Sequence, residues 1–322
     1  MNSVYITRKI PENASDLLKR NGFRVEINKN DKNLSRQDLK DVFSQHHAIV
    51  TMMTDSIDEE IIKASSADLK IISNYAVGFD NIDILAAKRK GIVVTNTPAV
   101  AGESVAEHTF ALILACSKKL IEADRFVRLG KYHQWDPLMF LSRQIWGQTI
   151  GIIGLGRIGT FVGNIAYHGF KMKILYHDIS PAEDFEMLTQ ARRVSVGTLL
   201  KQSDIVTLHV PLTPATVHLI GTKELKLMKN TAILINTSRG PVIDEEALIW
   251  ALHENEIAAS GLDVYEKEPQ VAADLKISSK VVLTPHIASA TIETRESMAK
   301  IAAQNIIDVF EGKTPLGLVK VG

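Results

Sequence analysis

The sequence predicts an α/β protein made of two doubly wound parallel-sheet domains. Three observations carry this. Short apolar runs alternate with helical stretches along the chain, the rhythm of a parallel sheet with helices on both faces. A strand–turn–helix signal rich in glycine, "TIGIIGLGRIGTFVG", lies at residues 149–163, so almost half of the chain precedes it. The length, 322 residues, suits about two domains.

The elements follow in order. "VYITRKI" (4–10) reads as a strand, Pro11 suits the first turn of a helix over "ENASDLLKRN", and Gly22 can end that helix. "FRVEIN" is a second strand, and Ser35 caps a helix over "RQDLKDVFSQHH". "AIVTMM" (48–53) is continuously apolar, as in a strand covered on both faces. "DEEIIKAS" reads as a short helix, "LKIISNYA" as a strand, "NIDILAAKRKG" as a helix closed by Gly91, and "IVVTNT" as a strand. Pro98 to Gly102 breaks the rhythm. One long helix is expected from Glu103 to about Gly130, apolar through its first half and suited to a domain connector or a subunit contact. Beyond the glycine-rich turn, strands are expected at "KILYHD" (173–178), "RRVSV", "DIVTLHV" (204–210), "TAILINTS" (231–238), "ASGLDV" (259–264) and "KVVLTPH" (280–286). "TIETRESMAKIAAQNIIDVFEG" (291–312) is a strong final helix.

Composition narrows the classes. Apolar residues make up 45%, and 37 Lys+Arg balance 37 Asp+Glu, which argues against a general nucleic-acid or anionic-membrane surface. Cys116 is the only cysteine, so there is no internal disulfide and no Cys metal cluster, and no metal is expected. Its setting, "FALILACSKKL", reads as a helix face with a buried thiol. The N-terminus has no signal-peptide pattern, and "FALILAC" is far short of the ~20 residues of a membrane helix. A cytoplasmic protein is expected.

Gly154, Gly156 and Gly159 form G-x-G-x-x-G. The first allows the tight turn, the second lets backbone approach a pyrophosphate, and the third lets helix pack on strand. The next strand ends in Asp178, 19 residues past Gly159, where a carboxylate can accept bonds from ribose hydroxyls. A plain strand–helix turn with no cofactor is the alternative. Ligands of open parallel sheets sit beyond the carboxyl ends of the strands, where Arg239, Asp263 and His286 fall, with Glu268 five residues past Asp263. A guanidinium suits a carboxylate, an imidazole suits proton transfer to a carbonyl oxygen, and a carboxylate beside it orients the ring. Together they suit hydride transfer to a 2-oxo acid. The plain alternatives are a strand-end cap for Arg239 and a solvated loop charge for Glu268. His46, His47, His133, His168, His177, His218 and His253 read as surface or satisfied core groups.

"GIIGLGRIG", "LINTSRGPVIDEEAL", "GLDVYEKEP" and "VVLTPHIASAT" resemble the D-isomer-specific 2-hydroxyacid dehydrogenase family, in family order and over essentially the whole chain. The resemblance implies a Rossmann NAD-binding domain, 100–286, inserted into a flavodoxin-like substrate domain, 1–99 plus 287–322, with the active site in the cleft between them. It implies Arg239, Glu268 and His286 as the catalytic set: Arg239 on the substrate carboxylate and keto oxygen, His286 as acid and base, Glu268 tuning His286. Asp263 is implied at the nicotinamide carboxamide, with Thr237 beside it. Further cofactor contacts are implied at Arg157, Ile158, His209, Pro211 and Thr216. Val77 and Gly78, in "NYAVGFDNID", would offer N–H groups to the substrate carboxylate.

Within the family, "YITRKIPEN", "NYAVGFDNID" and "WDPLMF" are most similar to glyoxylate/hydroxypyruvate reductases. The alternatives are another 2-oxo acid such as 2-ketogluconate, a phosphoglycerate dehydrogenase-like enzyme, or an NAD-sensing corepressor-like protein; a Rossmann methyltransferase leaves the first 148 residues unexplained. "HDISPAED" after the second strand has no Arg or Lys, so NAD is expected over NADP. A homodimer built on the 103–130 helix is expected, with Trp135 walling the neighbour's substrate pocket opposite Met52 and Met53.

Overall fold

The structure, a computed structural model, describes residues 1–320. The chain forms two compact units, Met1–Ala101 with the segment from Ala290 onward, and Gly102–Ser289.

The first unit holds five parallel strands: β1 (Ser3–Ile6), β2 (Arg24–Ile27), β3 (Ala48–Thr51), β4 (Ile71–Asn74) and β5 (Val93–Thr95). Their order is β2-β1-β3-β4-β5, the flavodoxin-like doubly wound arrangement. β3 and β4 are buried along their length; β3 reads as a nearly continuous apolar run, β4 ends in the buried polar pair Ser73 and Asn74, and the edge strand β2 alternates. The final helix, Ile292–Phe310, packs here: Met298, Ala299, Ala302, Ala303 and Ile306 share a core with Val4, Ile6, Val50 and Ile71. Ser73 Oγ donates to the carbonyl of Ala302 at 3.0 Å, fixing helix to sheet. Pro11 lies outside its helix, which runs Asn13–Arg20 with Glu12 as its cap residue; Gly22 follows the C-cap with φ +81°, a conformation that favours glycine.

The second unit holds seven parallel strands: β6 (Thr149–Ile153), β7 (Lys173–His177), β8 (Arg192–Arg193), β9 (Ile205–Leu208), β10 (Ile233–Asn236), β11 (Ala259–Leu262) and β12 (Val281–Leu283). The order β12-β11-β10-β9-β6-β7-β8 reverses direction between β6 and β9, so ligand chemistry is expected beyond the carboxyl ends there. β8 is much shorter than "RRVSV", because Ser195 caps the helix Val196–Gln202 with its Oγ on Thr198 N–H.

The long helix expected over 103–130 is two helices, Gly102–Lys118 and Leu120–Arg128, separated by Lys119 at φ +53°. The break falls where the packed surface ends. Val105, Ala106, Phe110, Leu112 and Ile113 are buried, while Leu120–Arg128 has no buried residue. "VAEHTFALILA" is therefore consumed by its own domain's core and does not supply a free apolar face. The exposed apolar groups lie further on, at Leu120, Ile121, Val127, Leu129, Trp135 and Leu138. Cys116 lies within the first helix, and burial pushes its thiol up to about 12, so it stays protonated.

Candidate active site

The glycine turn follows β6. Gly154 has φ +92°, and a Cβ there would sit 2.8 Å from the backbone of His209. A Cβ on Gly159 would sit 2.2 Å from the carbonyl oxygen of Gly154. Gly156, by contrast, faces open space and is the N-cap of the helix Arg157–Asn164 with no side chain capping it. The first-turn N–H groups at Arg157 and Ile158 are thus left for an external acceptor, and the helix dipole favours an anion there. Asp178, just past β7, accepts from Leu155 N–H at 2.7 Å and Ser180 N–H at 3.1 Å. These features fit the pyrophosphate and ribose of a dinucleotide.

β8 adds a residue that sequence spacing hides. The Arg193 guanidinium donates to the carbonyls of Asp178 and Ile179 at 2.8–3.1 Å. "HDISPAED" itself has no Arg or Lys, but the neighbouring strand brings this guanidinium onto the backbone of that segment.

His209 follows β9. Its Nε2 pairs with Thr207 Oγ1 at 2.9 Å, its Nδ1 is buried with no partner among the described residues, and burial lowers the ring to about 3, so it is neutral. Pro211 and Thr216 belong to the following loop, closed by Thr216 Oγ1 donating to the Pro211 carbonyl at 2.6 Å. Thr237, past β10, is buried with its hydroxyl 3.1 Å from that of Thr109.

Arg239, Glu268 and His286 converge through the backbone. Asn236 Nδ2 donates to the Arg239 carbonyl at 2.9 Å and holds the chain as it leaves β10. Gly240 then presses on the loop after β11: a Cβ there would lie 1.8 Å from the Tyr265 carbonyl oxygen. Tyr265 N–H donates to Glu268 Oε1 at 3.0 Å, and Tyr265 Oη donates to the Thr284 carbonyl at 2.9 Å. Glu268 Oε2 lies 2.8 Å from His286 Nδ1. A carboxylate only accepts, so Nδ1 carries the proton and Nε2 is left for chemistry.

Asp263 anchors this assembly. It is fully buried, and it accepts from Ile287 and Ala288 N–H groups, both at 2.8 Å, and from Thr284 Oγ1 at 2.7 Å. His108 Nε2, from the helix Gly102–Lys118, lies 3.4 Å from the same carboxylate and 3.0 Å from Thr284 Oγ1. Burial opposes ionisation of Asp263, yet the bonds from His108, Thr284, Ile287 and Ala288 outweigh it and hold the carboxyl below its ordinary range. The grip keeps Ile287 and Ala288 with the seven-stranded unit and fixes His286 at φ +53°, an uncommon conformation for a histidine. A nicotinamide carboxamide at Asp263 would add one more bond to an already occupied carboxylate. Spacing gave no sign of His108, Thr284 or the Tyr265 hydroxyl, whose bonds to Thr284, Asp263 and the Thr284 carbonyl respectively span 19 to 176 residues of chain.

In the five-stranded unit, Val77 and Gly78 follow β4. Asn96 Nδ2 holds the Val77 carbonyl at 2.6 Å and Asn74 Nδ2 holds that of Gly78 at 2.9 Å. Neither N–H of this pair is bonded among the described residues. Met52 and Met53, past β3, are half-buried, and Trp135 is 75% exposed. No group of three or more His, Cys, Asp or Glu that could hold a metal ion occurs among the described residues, and none of their helices is long and apolar enough to cross a membrane.

Comparison with known proteins agrees with this geometry. Residues 110–288 match the family described as D-isomer specific 2-hydroxyacid dehydrogenase, NAD binding domain. The chain is 47% identical to a glyoxylate reductase of Thermococcus litoralis over 98% of this chain and 96% of that one. It is 46% identical to a glyoxylate reductase of Thermococcus gammatolerans over 98% and 95%. A crystal structure of a Thermus thermophilus protein superposes with a TM-score of 0.93 at 37% identity, covering 99% of this chain and 100% of that one. The chain therefore belongs to the D-isomer specific 2-hydroxyacid dehydrogenase family and is an NAD-dependent oxidoreductase acting on the CH–OH group of 2-hydroxy acids.

Proposed function

We propose that the protein reduces glyoxylate and hydroxypyruvate with NADH, with His286 as the proton donor. The observation that carries the catalytic assignment is the His286–Glu268 pair at 2.8 Å, with Nε2 of the ring left free of Glu268. The relatives named glyoxylate reductase support the substrate class. Bound NADH supplies the hydride. Nε2–H of His286 donates a proton to the keto oxygen as charge develops on it, and Glu268 stabilises the imidazolium that precedes that step. Arg239 holds the substrate carboxylate and polarises the keto oxygen with its planar fork. Val77 and Gly78 N–H groups and the side chain of Met53 are proposed as further substrate contacts. Gly154, Gly156, Arg157, Ile158, Gly159, Asp178, His209, Pro211, Thr216, Thr237 and Asp263 are proposed to hold the cofactor. In this reading Met1–Ala101 with the segment from Ala290 onward is the substrate domain. A cytoplasmic location is part of this proposal.

We also infer a homodimer. Its support is the set of exposed apolar side chains between Leu120 and Trp146, of the kind that mark protein–protein contacts. Trp135, within it, is proposed to wall the substrate pocket of the partner subunit. The decisive assay follows NADH oxidation with glyoxylate, hydroxypyruvate, 2-ketogluconate and pyruvate. The proposal requires the first two to give the highest kcat/KM; a strong preference for either of the others overturns the substrate assignment while leaving the reaction type intact.

A further inference from the structure

The amino ends of β6, β7 and β8 border a depression of about 760 Å³ that no step of the reaction uses. Lys171, Lys173, Arg192, Lys201 and Lys229 line it, and no Asp or Glu does. Lys229 is neutralised by Asp204 at 2.7 Å. The other four have no ion-pair partner among the described residues, and all four are exposed. In a chain of zero formal net charge, this is a concentrated positive field.

The backbone around it is unusual as well. The helix Arg157–Asn164 runs on into a π-helical turn, Ile165–Gly169, before the wall residues Lys171 and Met172. Lys171 at φ +52° and Gln190 at φ +57° both hold left-handed conformations that non-glycine residues seldom adopt, and both line the depression. Wide turns and left-handed residues of this kind recur at functional sites. Tyr167, half-buried on the wall, adds an aromatic face. The pocket is separate from the dinucleotide turn. Gly154 lies past the carboxyl end of β6, and Thr149, on the wall, begins that strand, so roughly 15 Å of strand intervenes.

We propose that this depression is a second binding site, for a small polyanion of the triphosphate class. Four unpaired cations around one cavity oppose a ligand with three or more negative charges, and a volume of about 760 Å³ exceeds what a single phosphate fills. The triphosphate can be inorganic or carried by a nucleotide whose base meets Tyr167.

The test uses the full-length enzyme saturated with NADH, so that the glycine turn is occupied. Calorimetric titration with inorganic tripolyphosphate and, separately, with ATP is expected to give one site per chain. Tighter ATP assigns a nucleotide; equal affinities assign the phosphate chain alone. The triple variant Lys171→Gln, Arg192→Gln, Lys201→Gln is expected to weaken binding by about 30-fold or more through loss of charge-assisted bonds. Its NADH affinity should be unchanged. The control Lys29→Gln, Lys32→Gln, Lys88→Gln, with the same change in net charge, should bind as wild type. Absence of binding to the NADH-saturated enzyme overturns the proposal, as does equal weakening in the control.

Discussion

Nδ1 of His286 lies 2.8 Å from Oε2 of Glu268, and the other oxygen of that carboxylate is held by Tyr265 N–H at 3.0 Å. The carboxylate is therefore fixed from the backbone side and in turn orients the His286 ring. Glu268→Gln keeps the shape of the group but removes the charge-assisted bond to Nδ1. Turnover in glyoxylate reduction should fall by about tenfold or more, with NADH affinity within about twofold of wild type. Unchanged turnover contradicts the role given to Glu268.

Asp263 and His108 are expected to act through position. Asp263→Asn replaces an all-acceptor group facing four donors with one that presents its own N–H₂, at a cost of about 2–4 kcal/mol. The carboxyl is held low in the fold, so its stabilising contribution is full above the ordinary carboxylate range and is lost as pH falls from there through the lowered folded value. A thermal unfolding series should show the Asn variant losing most at neutral pH and converging with wild type in acid. His108→Leu removes one donor and should lower kcat more than it weakens NADH binding. Equal stability of wild type and Asp263→Asn at neutral pH removes Asp263 from this role.

How far the sequence carries can be judged from particular residues. β3 is apolar over Ala48–Val50 because both of its faces are buried, so its pattern is local and readable. Gly154 is readable because its turn needs φ +92°, and Gly159 because its requirement is set by Gly154 five residues earlier; the press of Gly154 on His209 across the sheet is not. The break at Lys119 is not, since an apolar helical period runs through it and only the end of the packed surface stops the helix. Arg193 and His108 are hidden for another reason. They reach their partners across strand order and helix packing, which spacing along the chain does not encode.

Arg193 changes the expectation for cofactor choice. Asp178 repels a 2′-phosphate, but a guanidinium already sits on the carbonyls of Asp178 and Ile179. Asp178→Ser alone, with no cation introduced, should raise kcat/KM with NADPH by about tenfold or more. No gain in that single variant, with a gain only after an added Arg, shows that Arg193 cannot reach the phosphate.

The exposed apolar run sets the assembly test. Leu120→Glu with Val127→Glu places charges on a face with no buried residue, so the monomer fold should tolerate both. Light scattering should give a dimer for wild type and a shift towards monomer for the variant. Trp135→Ala should raise KM for hydroxypyruvate more than for glyoxylate. An active wild-type monomer removes both the dimer and the cross-subunit role of Trp135.

The central claim is that Nε2 of His286, backed by Glu268, delivers the proton to the keto oxygen. His286→Gln tests it most directly, measured as glyoxylate reduction together with NADH affinity from fluorescence titration. The account predicts NADH binding within about twofold of wild type and turnover lower by ~10²–10⁴-fold at every pH, the span typical of a positioned general acid. Near wild-type turnover in His286→Gln would contradict it.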